Sequence, residues 1–292
     1  MWRQLAVTVE EKRADSLAEA FDRLGAVSVS FEDAGEQPLF EPKPGETPLW
    51  RETRTIALFE GDTDTDAIRQ TLEADFVYPL ANWISENIQD QAWERAWLEH
   101  FHPMRFGHRL WVCPTGFEPP DPTGVNLWLD PGLAFGTGTH PTTALCLEWL
   151  DGQCLRDKTV LDYGCGSGIL AVAALRLGAR EAFGVDIDPQ AITASRDNAI
   201  KNGVESQLHL FSPREFPAMQ ADILLANILA GPLVELADEL IGHVQPGGRL
   251  ALSGLLKAQA GTVQAAYETQ IDFAPPLVRE DWVLLIGVKR ST

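Results

Sequence analysis

A glycine-rich turn between an apolar strand-like run and an apolar helix-like run is the feature that most constrains the fold. The turn lies in the stretch LDYGCGSGIL, from Leu161 to Leu170. Strand–turn–helix units of this kind belong to open α/β sheets, in which ligands bind beyond the carboxyl ends of the strands. Gly164, Gly166 and Gly168 permit a tight turn and a close approach of the backbone to such a ligand. The sequence therefore predicts a parallel sheet with a ligand at its carboxyl edge.

The segment from residue 108 to residue 292 continues this pattern as one α/β domain. Strand-like runs alternate with helix-like runs, which predicts crossover helices and a doubly wound parallel sheet. The final two strands, which end in VLLIGVKR, have no helix between them and are predicted to form an antiparallel hairpin at one edge of the sheet. The preceding strand-like runs include TVLDYG, EAFGVDI, QLHLF, ADILLANI and RLALSGLL.

Residues 1–90 read as a separate α+β domain. Their strand-like and helix-like runs follow the order β-α-β-β-α-β, which is typical of a ferredoxin-like domain. Residues 91–107 are predicted to form a linker helix that ends before Pro103. The four strand-like runs of the first domain are WRQLAVTV, VSVSF, RTIALFE and NWISENI.

The composition argues against several classes of protein. The chain contains no run of about 18 apolar residues, and its N-terminus, MWRQLAVTVEEKRAD, has no apolar signal-peptide region. The four cysteines include no C-x-x-C pair, which favours free thiols in a reducing cytoplasm over a disulfide framework or a zinc site. We therefore expect a cytoplasmic protein that neither enters a membrane nor holds a metal ion.

The chain is strongly acidic, with a formal net charge of −19. Residues 1–90 hold 19 acidic and 8 basic side chains, so this first domain alone has a net charge of −11. A surface of this sign repels phosphate backbones and attracts basic partners. The charge therefore favours a basic protein over a nucleic acid as partner, although solubility alone is a sufficient reason for it.

Two carboxylates indicate which ligand the glycine turn binds. Asp186 ends the next strand, 18 residues beyond Gly168, where a carboxylate can accept both hydroxyls of a ribose. Asp162 lies two residues before the first glycine of the turn, where it would repel a pyrophosphate but suit a cationic ligand. S-adenosylmethionine has a ribose, a sulfonium and an ammonium group but no phosphate, so we expect it as cofactor in preference to a nicotinamide dinucleotide. The alternative is that neighbouring backbone N–H groups bind Asp162, which is compatible with either ligand.

Two further motifs are expected near the ligand. The run FGTGTHPTT has no lysine after its last glycine and is not a nucleotide P-loop, but its free N–H groups and hydroxyls at a helix start can bind the carboxylate of the methyl donor. Plain helix capping by Thr139 and His140 is the alternative.

Asn227 follows the strand in ADILLANI, and its amide can both accept and donate hydrogen bonds. We expect its oxygen to hold an amine N–H during catalysis, although it could simply cap the next helix. Ile228 and Leu229 come next, so the aromatic residue that would stack on a flat base is missing.

The chain resembles the ribosomal protein L11 methyltransferase (PrmA) family over essentially its whole length. The resemblance rests on the motifs FHPMRFG, LDPGLAFGTGTHPTT, DYGCGSGILA, GVDIDPQA and ANILAGPL. It implies a Rossmann-like class I methyltransferase sheet behind an N-terminal ferredoxin-like recognition domain. It also implies transfer of methyl groups to the N-terminal amine and lysine side chains of ribosomal protein L11. The donor-contacting positions implied are Thr143, Gly164, Asp186 and Asn227.

Several alternatives remain open from the sequence. Many related enzymes have an acidic residue after the third strand of the sheet for the adenine amine, whereas this chain has LFSPREF there. A nicotinamide oxidoreductase, a non-catalytic binding module, and a methyltransferase acting on RNA or on another basic protein are the rival functions. We expect a monomer that acts on a basic protein without needing to bind nucleic acid.

Overall fold

The computed structural model describes residues 2–35, 37, 48–88, 102–130 and 138–291. The chain divides into two compact units, residues 1–96 and 97–292. Their division falls inside the region that the sequence assigns to a linker. Most of the predicted linker helix lies outside the described residues. Met104–Phe106, at the end of the predicted linker, form a strand.

The first unit contains, in its described part, a four-stranded antiparallel sheet with the order β2-β3-β1-β4. This order interleaves two β-α-β units and is that of a ferredoxin-like domain, as the sequence predicted. The elements are β1 (Trp2–Glu10), α1 (Glu11–Arg23), β2 (Ser28–Asp33), β3 (Glu52–Glu60), α2 (Thr65–Asp75) and β4 (Ala81–Ile88).

The core of the first unit forms between its helices and one face of this sheet. Alternate residues of β3 are buried, as expected for a strand with one covered face. Helix α1 buries Leu17 and Phe21, which recur at helical spacing, against that face. The side chain of Asp64 caps α2 by accepting from the backbone N–H groups of Asp66 and Ala67, each at 3.1 Å.

The second unit starts with a small sheet of three short strands. Within the described residues it has the order β5-β6-β7. Strand β5 is antiparallel to β6, and β6 is parallel to β7. The strands are β5 (Met104–Phe106), β6 (Leu110–Cys113) and β7 (Val125–Trp128).

A large mixed sheet forms the centre of the second unit. Its described part has eight strands, with the order β10-β9-β8-β11-β12-β15-β13 and with β14 beside β15. The strands from β10 to β12 are parallel, and β15 runs antiparallel to its neighbours. The strands are β8 (Thr159–Tyr163), β9 (Glu181–Val185), β10 (Leu208–Phe211), β11 (Ala221–Asn227), β12 (Val244–Leu256), β13 (Ile271–Phe273), β14 (Leu277–Arg279) and β15 (Trp282–Lys289).

Helices cover both faces of the large sheet. Consecutive residues of β11 point to opposite faces, so that Leu225 packs into one core cluster and Leu224 into the other. The run GPLVELADELIGHV contributes to two short helices. The helices are α3 (Pro141–Asp151), α4 (Ile169–Arg176), α5 (Pro189–Lys201), α6 (Ala230–Glu235), α7 (Ala237–Gly242) and α8 (Ala260–Tyr267).

The prediction of an antiparallel hairpin at one edge of the sheet is confirmed. Strands β14 and β15 form an antiparallel hairpin through pairs such as Arg279 with Trp282. Strand β15 also pairs with β12 and β13, so the last strand has neighbours on both sides and its hairpin partner β14 lies at the edge. A continuous apolar run such as VLLIG fits this position, because both of its faces are covered. No helix in the described parts of the chain is long and apolar enough to cross a membrane.

Candidate active site

The predicted site residues gather where the parallel strands of the large sheet end. Strand β8 pairs with both β9 and β11, so the carboxyl ends of these three strands meet at one edge. Asp162 lies near the end of β8, Asp186 follows β9, and Asn227 is the last residue of β11. The predicted convergence of these three side chains is therefore present in the fold.

Asp162 is a buried carboxylate with one oxygen that lacks a partner. It is 1% exposed, and its Oδ2 accepts a hydrogen bond of 3.1 Å from the backbone N–H of Ala171. Its Oδ1 is buried and has no hydrogen-bond partner among the described residues. Burial raises the pKa of Asp162 to about 7, the negative charge of Asp186 adds to this rise, and the bond from Ala171 opposes it. The alternative, a carboxylate bound by the backbone, thus holds for one oxygen and leaves the other available.

The glycine turn is fixed to the end of β9. The backbone N–H groups of Gly164 and Cys165 donate to the carbonyl oxygen of Val185, at 2.7 and 3.1 Å. Gly164 has a φ of 79°, and a Cβ atom at this position would collide with the side chain of Ile228. Only glycine combines that backbone conformation with so close a neighbour. The turn therefore touches the segment that follows β11.

Asp186 is oriented by two backbone groups. Its Oδ2 accepts from the N–H of Gly166 at 2.8 Å, and its Oδ1 accepts from the N–H of Asp188 at 2.9 Å. Each oxygen keeps a second lone pair, so the carboxylate can still accept two hydroxyl groups. Gly168 caps α4 with a φ of 74°. We call Asp162, Asp186 and the turn from Gly164 to Gly168 the carboxylate side of the site.

His140 caps helix α3. Helix capping was the structural alternative for the motif FGTGTHPTT. Its Nδ1 lies 3.4 Å from the backbone nitrogen of Thr142, which donates to it, and 2.7 Å from the Thr142 hydroxyl. Burial lowers the pKa of His140, and the charge of Glu280 opposes this shift. An Nδ1 that accepts from an N–H places the proton of the neutral ring on Nε2. This ring therefore has no free nitrogen with which to take a proton from a substrate. Residues 131–137, which include the first part of the predicted loop, lie outside the described residues.

The side chain of Asn227, at the end of β11, contacts the side chain of Thr143 in the first turn of α3. Its Nδ2 donates to the Thr143 hydroxyl at 3.3 Å, and its buried Oδ1 has no hydrogen-bond partner within the ranges that the structure describes. The alternative, a helix cap, is not what the structure shows. Helix α6 begins at Ala230, and its N-cap residue is Leu229 rather than Asn227.

A cavity of about 290 Å³ opens beside Asn227. Its walls are mainly apolar, and the sequence reasoning missed one of them, Trp282, whose ring packs edge-on against His140 with centroids 4.7 Å apart. Because β15 is antiparallel, its first residue lies at the carboxyl edge of the sheet. The antiparallel hairpin predicted from the sequence was the signal that could have located it. We call this space the amide cavity, and it is lined by His140, Thr142, Asn227, Ile228, Leu229, Gly254 and Trp282.

Comparison with known proteins places the chain in a family. The sequence model of the family described as ribosomal protein L11 methyltransferase (PrmA) matches residues 1–290. The curated ribosomal protein L11 methyltransferase of Azotobacter vinelandii is 55% identical over 290 residues, which cover 99% of each chain. That of Methylococcus capsulatus is 55% identical over 293 residues and covers 100% of each chain. The chain belongs to the ribosomal protein L11 methyltransferase family.

A solved structure agrees with this membership. The crystal structure of a ribosomal protein L11 methylase from Lactobacillus delbrueckii subsp. bulgaricus is 30% identical, with a TM-score of 0.60. The match covers 65% of this chain and 100% of that chain. The predicted resemblance and the Rossmann-like class I fold are thus confirmed.

Family membership also decides between the predicted classes of function. The chain is a protein methyltransferase, so the oxidoreductase and the non-catalytic alternatives are wrong. Methyl transfer in this family implies a cofactor of the S-adenosylmethionine type. The site residues themselves fit such a group, because Asp162 offers an unpaired buried oxygen to a cation and Asp186 offers two acceptors to a ribose.

Proposed function

We propose that this enzyme transfers methyl groups from S-adenosylmethionine to the N-terminal amine and lysine side chains of ribosomal protein L11. The observation that carries this proposal is Asn227, which lines the amide cavity and whose buried Oδ1 has no hydrogen-bond partner in the described part of the chain. A buried acceptor without a partner is costly, by about 1–3 kcal/mol, so a ligand that brings an N–H group is favoured there. An amine brings such a group, whereas a hydroxyl or carbon nucleophile that has lost its proton does not.

The carboxylate side holds the methyl donor in this proposal. Asp162 directs its unpaired Oδ1 to a cationic group of the donor, and Asp186 accepts the two ribose hydroxyls. The glycines at 164, 166 and 168 let the backbone approach the donor closely. Asn227 and Thr143 lie where this side meets the amide cavity, since Ile228 contacts the turn at Gly164. A dinucleotide fits less well, because a buried carboxylate opposes a pyrophosphate.

The chemistry needs a neutral amine aligned with an electrophilic carbon. When bound, S-adenosylmethionine supplies a methyl group on a sulfonium, so the amine lone pair forms the new N–C bond while the electron pair of the breaking C–S bond stays on sulfur. Removing the proton from a lysine at pH 7 costs about 4.6 kcal/mol, against roughly 1–1.4 kcal/mol for an α-amine. Ile228, Leu229 and Trp282 favour the neutral amine because they replace its water.

Among the described residues that line the amide cavity, no side chain is suited to act as a base. The amide of Asn227 has no basic nitrogen, and Nδ1 of His140 is engaged by Thr142. We infer that the ammonium proton leaves to solvent before the amine enters, and that the product ammonium loses its next proton in the same way. Asn227 then holds one amine N–H on its oxygen and so directs the lone pair toward the methyl carbon.

The first unit is proposed to recognise the protein substrate. The sequence neighbours are named for ribosomal protein L11, and residues 1–90 carry a net charge of −11, which suits a basic partner. We further propose that the enzyme is a cytoplasmic monomer and that it needs no nucleic acid. If attraction to the first unit is ionic, kcat/KM for the intact protein falls as the Debye length shrinks below about 8 Å with added salt, while donor affinity changes little.

Incubation with labelled donor tests the proposed function. The purified enzyme is mixed with ribosomal protein L11, with ribosomal RNA, and with both, and the labelled product is identified by mass spectrometry. We expect label on the N-terminal amine and on lysines of the protein, and none on RNA. Label on RNA alone, or on another ribosomal protein in preference to L11, would contradict the proposal.

A further inference from the structure

Helix α5 contacts both parts of the carboxylate side of the site. The helix begins shortly after Asp186, at the end of β9. Further along, the Ser195 hydroxyl donates to the carbonyl oxygen of Gly166 at 2.9 Å. The side-chain amide of Asn198 donates to the carbonyl oxygen of Ser167, also at 2.9 Å. One helix therefore connects the carboxylate proposed to bind the ribose with the glycine turn.

Gly166 has hydrogen bonds on both of its backbone groups. Its N–H donates to Oδ2 of Asp186 at 2.8 Å, and its carbonyl oxygen accepts from Ser195. Its φ of 55° is a left-handed conformation, which is only one of the several that glycine adopts at little cost. A glycine without partners could therefore turn its N–H away from Asp186. The bond from Ser195 restricts the peptide that follows Gly166 and so helps to keep this N–H directed at the carboxylate.

Ser195 has a different role from a hydroxyl that only serves its own helix. Hydroxyls inside helices commonly donate to a carbonyl oxygen one turn earlier, as Thr193 does to Pro189 at 3.0 Å. Ser195 is fully buried and donates to the glycine turn instead. The helix also packs closely there, because a Cβ atom at Gly168 would lie 2.7 Å from the Ser195 oxygen. A short side chain with a hydroxyl both fits this space and reaches the turn.

The Cys165 thiol contacts the same hydroxyl from the turn. Its Sγ lies 3.5 Å from Oγ of Ser195. A hydroxyl has a single proton, which Ser195 gives to Gly166, so the thiol is the donor in this second contact. Burial raises the pKa of Cys165, which keeps the thiol protonated for this purpose. The Ser195 hydroxyl is therefore oriented from two directions.

We propose that Ser195 is a positioning residue for the methyl donor. By holding Gly166, it keeps the Gly166 N–H on Asp186 and so sets the orientation in which this carboxylate accepts the ribose hydroxyls. Ser195 acts through these two residues, from a helix that contributes none of the predicted site residues. The inference rests on the proposed donor site and deepens it.

Removal of the hydroxyl tests the role of Ser195. Ser195→Ala adds no bulk beside Gly168, and in the full-length enzyme it should weaken S-adenosylmethionine binding by about threefold to tenfold, as expected for one lost hydrogen bond. The value of kcat on ribosomal protein L11 at saturating donor should stay within about twofold of the wild type. Calorimetry measures the first quantity and steady-state kinetics the second.

A double variant tests whether Ser195 acts through Asp186. In an Asp186→Ala background, Ser195→Ala should cause no further loss of donor affinity, because the carboxylate that it positions is absent. If the two losses of affinity add, Ser195 acts by another route and the inference is wrong. If Ser195→Ala does not fold, Ser195→Cys gives the same comparisons, because a thiol of similar size is a much weaker donor.

Two control variants remove a hydroxyl that does not contact the turn. Thr193→Val changes the same helix, and its hydroxyl bonds only within that helix. Thr159→Val removes a buried hydroxyl that is bonded to Arg180 and Glu181 at the opposite edge of the sheet. We expect both variants to bind S-adenosylmethionine with wild-type affinity, whatever the change in melting temperature.

Two further results would overturn the inference. Donor affinity that is unchanged in Ser195→Ala, with only a lower melting temperature, would show that the hydroxyl serves stability alone. An equal loss of affinity in Thr159→Val would show that the effect is not specific to the turn. Failure of the proposed function is distinguishable from both, because the wild-type enzyme would then leave ribosomal protein L11 unlabelled.

Discussion

The carboxylate side and the amide cavity each have a residue with a buried oxygen that lacks a hydrogen-bond partner in the described part of the chain, but the two oxygens differ in charge. On the carboxylate side it belongs to Asp162, and in the amide cavity it belongs to Asn227. A carboxylate stabilises a cation, which suits a donor that stays positively charged while bound. A carboxylate beside the substrate would instead stabilise its ammonium form and raise the cost of deprotonation. A neutral amide accepts an N–H without stabilising the ammonium form. Asp162 therefore suits a cation, whereas Asn227 suits a neutral amine.

The largest effect is expected from removing the amide. Asn227→Ala should lower kcat on ribosomal protein L11 by about 100-fold or more, while donor affinity changes much less, because the amide acts on the aligned amine rather than on the bound donor. Single-turnover kinetics with calorimetric measurement of donor binding checks this difference. Turnover at the wild-type rate would show that the amide cavity does not orient the amine.

A substitution on the carboxylate side should instead lower donor affinity much more than kcat. Asp186→Ala should weaken donor binding by about 1.5–3 kcal/mol, roughly 10-fold to 150-fold, through the loss of hydrogen bonds between a charged acceptor and the ribose. The rate at saturating donor should fall much less. Calorimetry on the folded variant measures donor affinity. An unchanged affinity would show that Asp186 does not bind the donor.

Asp162 links donor binding to pH. Its pKa of about 7 in the folded protein lies above its ordinary value of 3.8, so ionisation favours the unfolded chain, and stability is lost as pH rises from about 4 to 7. Asp162→Asn removes this penalty and should stabilise the donor-free protein at pH 8 by roughly 1–3 kcal/mol. The same change should weaken donor binding by about tenfold at pH 8.

The pH dependence of donor affinity provides the matching control. A cationic donor binds the ionised form of Asp162, so wild-type affinity should fall as pH drops below about 7, whereas affinity of the Asp162→Asn variant should stay flat. Thermal unfolding and calorimetry across pH 5.5–8.5 measure both effects. A wild-type affinity that does not depend on pH would show that Asp162 does not contact the cation.

The carboxylate side could be predicted from the sequence because its residues are local. Asp162 and the glycine turn lie in one strand–turn–helix segment, and the rule for parallel sheets places Asp186 next to them. The amide cavity could not be predicted in the same way. The contact between Asn227 and Thr143 joins residues that are 84 positions apart, and it depends on where α3 starts relative to the end of β11.

Trp282 shows why a periodic sequence pattern is insufficient to predict which residues line the amide cavity. The apolar run of the last strand predicts a buried strand, but it does not specify that β15 inserts between β12 and β13. That insertion brings Trp282 beside His140 at the carboxyl edge. The sequence also could not predict that one oxygen of Asp162 and one of Asn227 lack a hydrogen-bond partner among the described residues. It gives the type of a side chain but not the number of its partners.

Exchanging the amide for a carboxylate tests the central claim most directly. Asn227→Asp keeps the shape of the side chain and adds a negative charge beside the substrate amine, and the pH dependence of lysine methylation is then compared with that of the wild type. If the neutral amide is required to hold an amine without stabilising its ammonium form, the variant should be about fivefold to tenfold slower at pH 7, and its deficit should shrink as the pH approaches the pKa of lysine, about 10.4. A variant that is faster than the wild type at pH 7 would show that a carboxylate at this position acts as a base, and it would contradict the account.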